Sequence, residues 1–477
     1  VTTGGKNTAV GSMAVRGTTT GCKNTGFGYQ AMLFNTEGAL NTASGVYALY
    51  LNTTGSHNTA DGVSALQNST TGEHNTGIGR GAGYSNTTGN NNTYVGLFAG
   101  CANTTSSYNV GVGRYALCGA TGALNVGVGN RALQYSTGSC NTALGTSVLG
   151  SNTSGTKNTA SGMYALLGNT TASHNTASGY RALTNNTTGS ENTASGTCSL
   201  FSNVSGSCQV ATGFRALASN TCGHRNTATG AYALNANTTG SFNTASGYMA
   251  LYSNTTASYN VAFGFCAMHS NTTGTCNTAV GWRALPVNTA SSGNTASGFY
   301  ALKCNNANFN TAFGTRAALH NTSGINNTAV GSHSLCSNTT GTQNTAIGMN
   351  AVRNSSTGCN NTGVGYGAGF SSTTSNYNTA VGACSLYVNT SGAKNTAVGT
   401  FACVNTAVGF RALNKTTTGC ANTALGNCAL YCNTTGCRNV AIGAWAMQCG
   451  AGTYNVAMGY NAMQCTTGSN NIGLGYN

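Results

Sequence analysis

The chain has 477 residues, with 69 Gly, 1 Pro and 20 Cys, and its four acidic side chains (Glu37, Asp61, Glu73 and Glu191) face 18 Lys and Arg for a net charge of +14. Charged residues make up 5%, against about 25% in ordinary globular domains, a composition that fits neither a typical enzyme domain nor a charge-rich disordered tail. No apolar run approaches the roughly 18 residues of a membrane helix, and no basic-apolar-small signal segment opens the chain.

The first full unit opens at Asn7, and the same phrase returns at Asn24, Asn41, Asn58, Asn75, Asn92 and Asn109, a spacing of 17. It continues through Asn125, Asn141, Asn158, Asn175, Asn192, Gln209 and Asn226, and on to Asn471, at 17 or occasionally 16. Numbering each unit from this residue, the phrase reads Asn-Thr-Ala, an apolar or Ser residue, Gly, two variable residues, Ala-Leu, then Asn-Thr-Thr-Gly at positions 12 to 15. A fixed period in this range marks a stacked repeat. Gly at position 5 and the Asn-Gly-rich cluster are bend signals, and they split two short runs rich in Thr, Val and aromatics. The spacing therefore predicts an all-β fold, a parallel β-solenoid of about 29 coils, with strands near positions 2 to 4 and 7 to 10. At about 4.8 Å per coil it would be a rod on the order of 140 Å long, one continuous domain over residues 1–477.

Position 3 is nearly always Ala or Gly and position 8 nearly always Ala (Ala14, Ala31, Ala48), ladders small enough for a thin interior. Position 9 is mostly Leu or Met (Leu49, Leu66, Leu166), and in a regular strand it would face away from position 8. Either a Gly-driven bend turns both ladders inward, or one of them is a packing surface for another chain. From Asn395 to Asn405 the spacing drops to 10, so a kink, shortened coil or junction is expected near Cys403 and Val404. Val1 falls at position 12 and Asn477 at position 7, with no capping change in composition. Stacking end to end into a filament, or continuation within a longer repeat protein, would satisfy the open strand edges.

The phrase Asn-Thr-Ala-Val-Gly-x-x-Ala, clear at Asn7–Ala14, Asn277–Ala284, Asn344–Ala351 and Asn439–Ala446, resembles the head repeats of trimeric autotransporter adhesins and related phage-type tail-fibre repeats. The resemblance implies a left-handed β-roll with three chains side by side, and a surface-binding role.

The turns carry Asn-x-Ser/Thr, the N-glycosylation pattern. Candidate acceptors are Asn52, Asn68, Asn86, Asn103, Asn152, Asn169, Asn186, Asn203, Asn237, Asn254, Asn271, Asn321, Asn338, Asn354, Asn389, Asn414 and Asn433. The competing reading is an Asn ladder satisfied by its own amides between coils. Twenty Cys suggest an oxidising compartment. Cys101 and Cys118, and Cys420 and Cys437, lie one coil apart; Cys432, Cys449 and Cys465 form a column; Cys198 with Cys208 and Cys266 with Cys276 join position 7 to position 17. All are candidate disulfides, because stacked Cα atoms fall within the roughly 4.4–6.8 Å range of such bridges. The alternative is unpaired thiols used as small apolar filler.

Arg131, Arg181, Arg215, Arg283, Arg316 and Arg411 share position 7, a dilute basic stripe that suits either solvent or an anionic polysaccharide. Aromatics at positions 6 and 7 (Tyr29, Tyr180, Tyr248, Trp282) could stack on sugars or on one another. Scattered acids give no catalytic pair, His57 and His74 are a poor metal site, and the Gly-x-Gly at Gly111 and Gly127 belongs to the repeat; no enzyme activity, metal or cofactor is expected. The expected function is an extracellular or cell-surface structural fibre shaft, glycosylated, disulfide-stapled and partnered by copies of itself, with no membrane span and no nucleic acid. The alternatives are an adhesin or tail-fibre head binding a cell surface or glycan, and an ice-binding solenoid presenting Thr at position 2.

Overall fold

The computed structural model describes residues 3–402, 405–416, 419–450 and 452–477, in two compact units, Val1–Phe242 and Asn243–Asn477. Among these residues there is no helix, and 29 strands of three residues recur, each at positions 2 to 4 of its coil. The first unit holds β1 (Thr8–Val10) through β14 (Thr227–Thr229), the second β15 (Thr244–Ser246) through β29 (Ile472–Leu474). Within each unit neighbouring strands pair in parallel, one coil apart and in register: Thr8 lies opposite Thr25, Thr159 opposite Thr176, and Thr311 opposite Thr328. Each unit is a parallel β-solenoid.

The strand follows from its residues. Thr and β-branched side chains at positions 2 and 4 suit a half-exposed pleated surface, and the alternation puts position 3 inside. Ala43, Ala60 and Ala143 are fully buried there. Gly at position 5 then turns the chain at φ near +130° (Gly11 +128°, Gly45 +132°), and a Cβ on Gly11 would stand 2.5 Å from the Gly28 carbonyl oxygen of the next coil. Coils stack too closely at this bend for any other residue.

The second strand expected at positions 7 to 10 does not form. This segment alternates between right- and left-handed backbone: Met13 and Val15 have φ of +59° and +52°, Tyr47 and Leu49 +57° and +50°. The alternation, and not the Gly bend, settles which ladders point inward. It turns positions 8 and 9 the same way, so that Ala31 with Met32 and Ala48 with Leu49 are all fully buried. A left-handed L-residue costs about 1–2 kcal/mol. Bonds to both neighbouring coils hold it: the N–H of Gln30 donates back to Ser12 O at 3.0 Å, and that of Met32 donates forward to Ala48 O at 2.9 Å. Each buried Leu at position 9 returns about 2 kcal/mol on its own account.

One coil departs from the small interior. β6 (Thr93–Val95) carries Tyr94 at position 3, only 1% exposed. Its ring occupies the space of two missing Leu side chains, since position 9 is Gly83 in the coil before and Gly100 in its own. A Cβ at Gly83 would sit 3.1 Å from the ring, and one at Gly100 would overlap it. Burial raises the Tyr94 phenol well above its ordinary pKa, partly countered by hydrogen bonds with Asn109 and Asn103.

At the short spacing, β24 (Thr396–Val398) and β25 (Thr406–Val408) still pair in parallel, Thr396 opposite Thr406. The N–H of Asn405 donates to Asn395 Oδ1 at 2.7 Å, and that of Gly409 to Val398 O at 2.8 Å. The strand side of the coil is therefore undisturbed. Cys403 and Val404, where the irregularity was expected, lie outside the described residues.

Candidate functional site

Two columns of Asn fasten the inside of the turn. At position 1, Asn41 Nδ2 donates to Gly55 O at 2.8 Å, closing its own coil, while its Oδ1 accepts the N–H of Asn58 at 2.9 Å. At position 12, Asn52 Nδ2 donates both to Gly55 O at 2.9 Å and to Asn35 Oδ1 of the preceding coil at 2.6 Å. Asn169 repeats the pattern with Ala172 O at 3.0 Å and Asn152 Oδ1 at 2.7 Å, and Asn338 with Gly341 O at 2.9 Å and Asn321 Oδ1 at 2.6 Å. Position-13 Thr adds an outer clasp: Thr53 Oγ1 donates to Thr70 O at 3.0 Å. Asn-Thr-Thr-Gly is thus an internal clamp.

This geometry decides which acceptor sequences are reachable. Asn52, Asn86, Asn103, Asn152, Asn169, Asn186, Asn203, Asn237, Asn254, Asn271, Asn321, Asn338, Asn389 and Asn433 are all buried. Where both amide hydrogens are held inside, as at Asn52 and Asn169, a sugar on Nδ2 would remove one bond and place a glycan in a space without room for it. Asn68, Asn354 and Asn414 differ, because Ser69, Ser355 and Thr416 take the interior position and leave these amides half-exposed.

Of the cysteine pairs, Cys101 and Cys118 are bonded, with Cα atoms 4.8 Å apart. Cys198, Cys208, Cys266, Cys276, Cys432 and Cys449 stand as thiols. Neither 7-to-17 pair is bonded; the Cys208 Sγ instead meets the Glu191 carboxylate at 3.2 Å. Cys420 and Cys437 are also thiols, correcting the expected bridge, although their sulfurs approach to 3.0 Å. The Cys420 thiol and its N–H, at 3.1 Å, both donate to Cys437 Sγ. They lower the Cys437 pKa and raise that of Cys420. Since the thiolate is the reactive form, iodoacetamide at neutral pH is expected to label Cys437 ahead of Cys420. Peptide mass mapping of a short pulse checks this; equal labelling would refute the asymmetry.

The position-6 aromatics form columns. Tyr248, Phe265, Trp282 and Phe299 stack in sequence at 5.4, 5.8 and 5.0 Å, with planes within 17°. Their faces cover one another and their edges meet solvent, so a sugar ring finds no open face along the column. Several position-7 arginines lie over these rings: Arg283 is 5.1 Å from the Trp282 centroid and Arg411 5.1 Å from that of Phe410. Such cation–π contacts are worth about 0.5–1 kcal/mol at exposed sites, and they engage Arg181, Arg215, Arg283 and Arg411 of the basic stripe. His57 and His74 simply stack, 4.7 Å apart, and no group of three metal-ligating side chains occurs among the described residues.

The outer face of the sheet is left uncovered. Its position-4 column is sorted: Ser161, Ser178, Ser195, Thr212 and Thr229 run consecutively over β10 (Thr159–Ser161) to β14, while from β19 (Thr311–Phe313) to β29 every position-4 residue is apolar. This sorting was present in the sequence as the variation at position 4, and could have been read there by following the column instead of the consensus. No helix among the described residues is long and apolar enough to cross a membrane. No protein-family model matches the chain, and no curated protein matches it.

Proposed function

We propose that the chain is a structural, non-catalytic fibre shaft of the cell exterior that associates side by side with copies of itself. The observation that carries this is the apolar column of the second unit: Phe313, Val330, Ile347, Val364, Val381, Val398, Val408, Leu425, Ile442, Met458 and Leu474 in unbroken succession. Phe313 is 45% exposed and Leu425 46%. A contiguous apolar strip of this kind marks an interaction surface, and a strip with the coil's own period fits most simply against the same strip of another copy. The Cys101–Cys118 bridge accords with an oxidising exterior, and among the turn acceptors N-linked sugar fits Asn68, Asn354 and Asn414, whose side chains are not buried. The test is sedimentation of the full chain against a Val364→Lys, Val381→Lys double variant. These side chains leave the core untouched, so the variant is expected to fold and to lose lateral association. A wild-type monomer across micromolar concentrations would defeat the reading.

A second reading is favoured by a different patch. On β10 to β14, Thr159, Ser161, Thr176, Ser178, Thr193, Ser195, Thr212, Thr227 and Thr229 face outward, and none of their hydroxyls bonds to a described residue. The position-4 hydroxyls run unbroken and the position-2 hydroxyls are interrupted at Val210; charge-free and repeating at the 4.8 Å spacing seen between Cys101 and Cys118, they suit an ordered water lattice. An ice-recrystallisation assay on the wild type and on Ser178→Lys separates this reading: inhibition lost in the variant supports it, and no inhibition by the wild type ends it.

A further inference from the structure

The short coil opens a cleft in the second unit. In most regular coils the N–H groups of positions 13 and 14, and in several that of position 15, converge on one acceptor, the position-13 carbonyl of the next coil. Thr36, Glu37 and Gly38 donate to Thr53 O at 3.0, 3.0 and 3.1 Å, and Thr53, Thr54 and Gly55 to Thr70 O at 2.9, 3.3 and 3.3 Å. Successive N–H groups aimed at one point form a nest, a concavity suited to an anion or a carbonyl oxygen.

Thr390, Ser391 and Gly392 occupy the same three positions in the coil that begins at Asn378. The coil after it runs only from residue 395 to 404 and has no positions 11 to 17, so the carbonyl that would fill this nest does not exist. The N–H groups of Thr390 and Ser391 make no hydrogen bond with any described residue, and that of Gly392 turns back to Asn389 Oδ1 at 3.0 Å. Two further donors lose their partners for the same reason. A position-16 N–H ordinarily meets the position-16 side chain of the next coil, as Ala39 meets Ser56 Oγ at 3.1 Å. A position-17 N–H ordinarily meets the position-16 carbonyl of the preceding coil, as Leu40 meets Cys22 O at 3.0 Å. Ala393 and Ala421 have neither.

All four residues line one cleft of about 620 Å³, together with Lys394. The chain's four acids all precede residue 243, so no carboxylate side chain of this unit competes for these donors. Unpaired N–H donors beside an ammonium group favour a charged oxygen over a neutral carbonyl.

We propose that this cleft is an oxyanion site, in which the Thr390 and Ser391 N–H groups hold the oxygens and Lys394 supplies the counter-charge. Phosphate, sulfate, or the carboxylate or sulfate group of an acidic sugar shares this chemistry. The site follows from a missing turn and does not depend on lateral association.

The experiment titrates inorganic phosphate, sulfate and, separately, oligogalacturonate into the full chain at low ionic strength, read by calorimetry. One saturable site per chain is expected. Lys394→Gln is expected to weaken binding about tenfold, the loss of one charge-assisted contact. Ser391→Ala keeps the backbone donor and is expected to bind as the wild type does. Inserting seven residues that carry Asn-Thr-Thr-Gly between residues 404 and 405 restores the turn, fills the nest and is expected to abolish binding. Saturation by phosphate or sulfate assigns a free anion; saturation by oligogalacturonate alone assigns a sugar-borne carboxylate. Absence of saturation by all three overturns the proposal, as does undiminished binding in a folded insertion variant. If the insertion variant does not fold, undiminished binding by Lys394→Gln overturns it instead.

Discussion

Tyr94→Ala lowers the local stability of the coils around β6 by about 3–5 kcal/mol, the usual cost of emptying an aromatic-sized space in a packed interior. The size of the effect comes from the exchange of volume around it. Gly83 and Gly100 have given up the Leu found at position 9 elsewhere, so nothing nearby can collapse into the vacancy. Gly100→Leu alone is expected to destabilise as well, by about 1–3 kcal/mol or more, because the new side chain meets the ring. Combined, the two substitutions rebuild the ordinary Ala-and-Leu interior, and most of the loss should return. Leu adopts the left-handed backbone at this position in other coils, as Leu66 does at φ +48°. Hydrogen exchange resolved to residues 76–130 is the measurement, since a solenoid opens coil by coil and one global midpoint would blur the effect. Simple addition of the two losses would sink the account, because contacting sites that exchange volume must couple.

Asn169→Asp produces a comparable loss that depends on pH. Asn169 donates to Asn152 Oδ1 and Ala172 O and accepts from Asn186 Nδ2 at 3.0 Å. Ionised aspartate has no hydrogen to donate and sets a negative charge against two acceptor oxygens in a closed interior. Breaking a buried arrangement in this way costs about 3–5 kcal/mol. The buried acid titrates above its unfolded value of about 3.9. Below that value both states are protonated, and the acid's own O–H can replace one amide hydrogen, so the loss is small. As pH rises, the unfolded chain ionises first and folding is progressively disfavoured. Exchange rates for residues 152–190 measured at about pH 3.5 and about pH 7, against Asn169→Ala as the pH-independent reference, test the sign. A loss equal at both values would show that the side chain reaches solvent.

Much of this architecture is legible in the residues. The period, the parallel stacking and the small position-3 and position-8 ladders follow from Gly, Ala and Thr recurring at fixed places. The conformation of positions 7 to 10 does not. Arg, Tyr and Leu are poor left-handed residues by intrinsic preference, and only bonds from the coils on either side make Tyr47 and Leu49 adopt that backbone. Asn-Thr-Thr-Gly reads equally well as an exposed turn and as an internal clamp, because both use the same amide. Whether Asn52 faces out or in depends on Asn35 standing beneath it with a free oxygen. Cys101–Cys118 and Cys420–Cys437 have the same 17-residue separation, yet one is bonded and the other is not, a difference that spacing cannot express. Tyr94 was the readable exception: a large residue at a small position, flanked by two small residues at large positions.

The undisturbed pairing of β24 with β25 bears on how such a gene can change. Because strand alignment is set by positions 1 to 5, a duplication or deletion that removes a whole turn leaves the neighbouring coils able to find each other. Misaligned recombination between near-identical repeats would ordinarily be penalised for every junction that fails to restore 17 codons. Here the penalty falls on the clamp half of a single coil, while the remainder still folds. Each imperfect junction of this kind leaves an opening like the one between Thr390 and Ala421 on an otherwise repetitive surface.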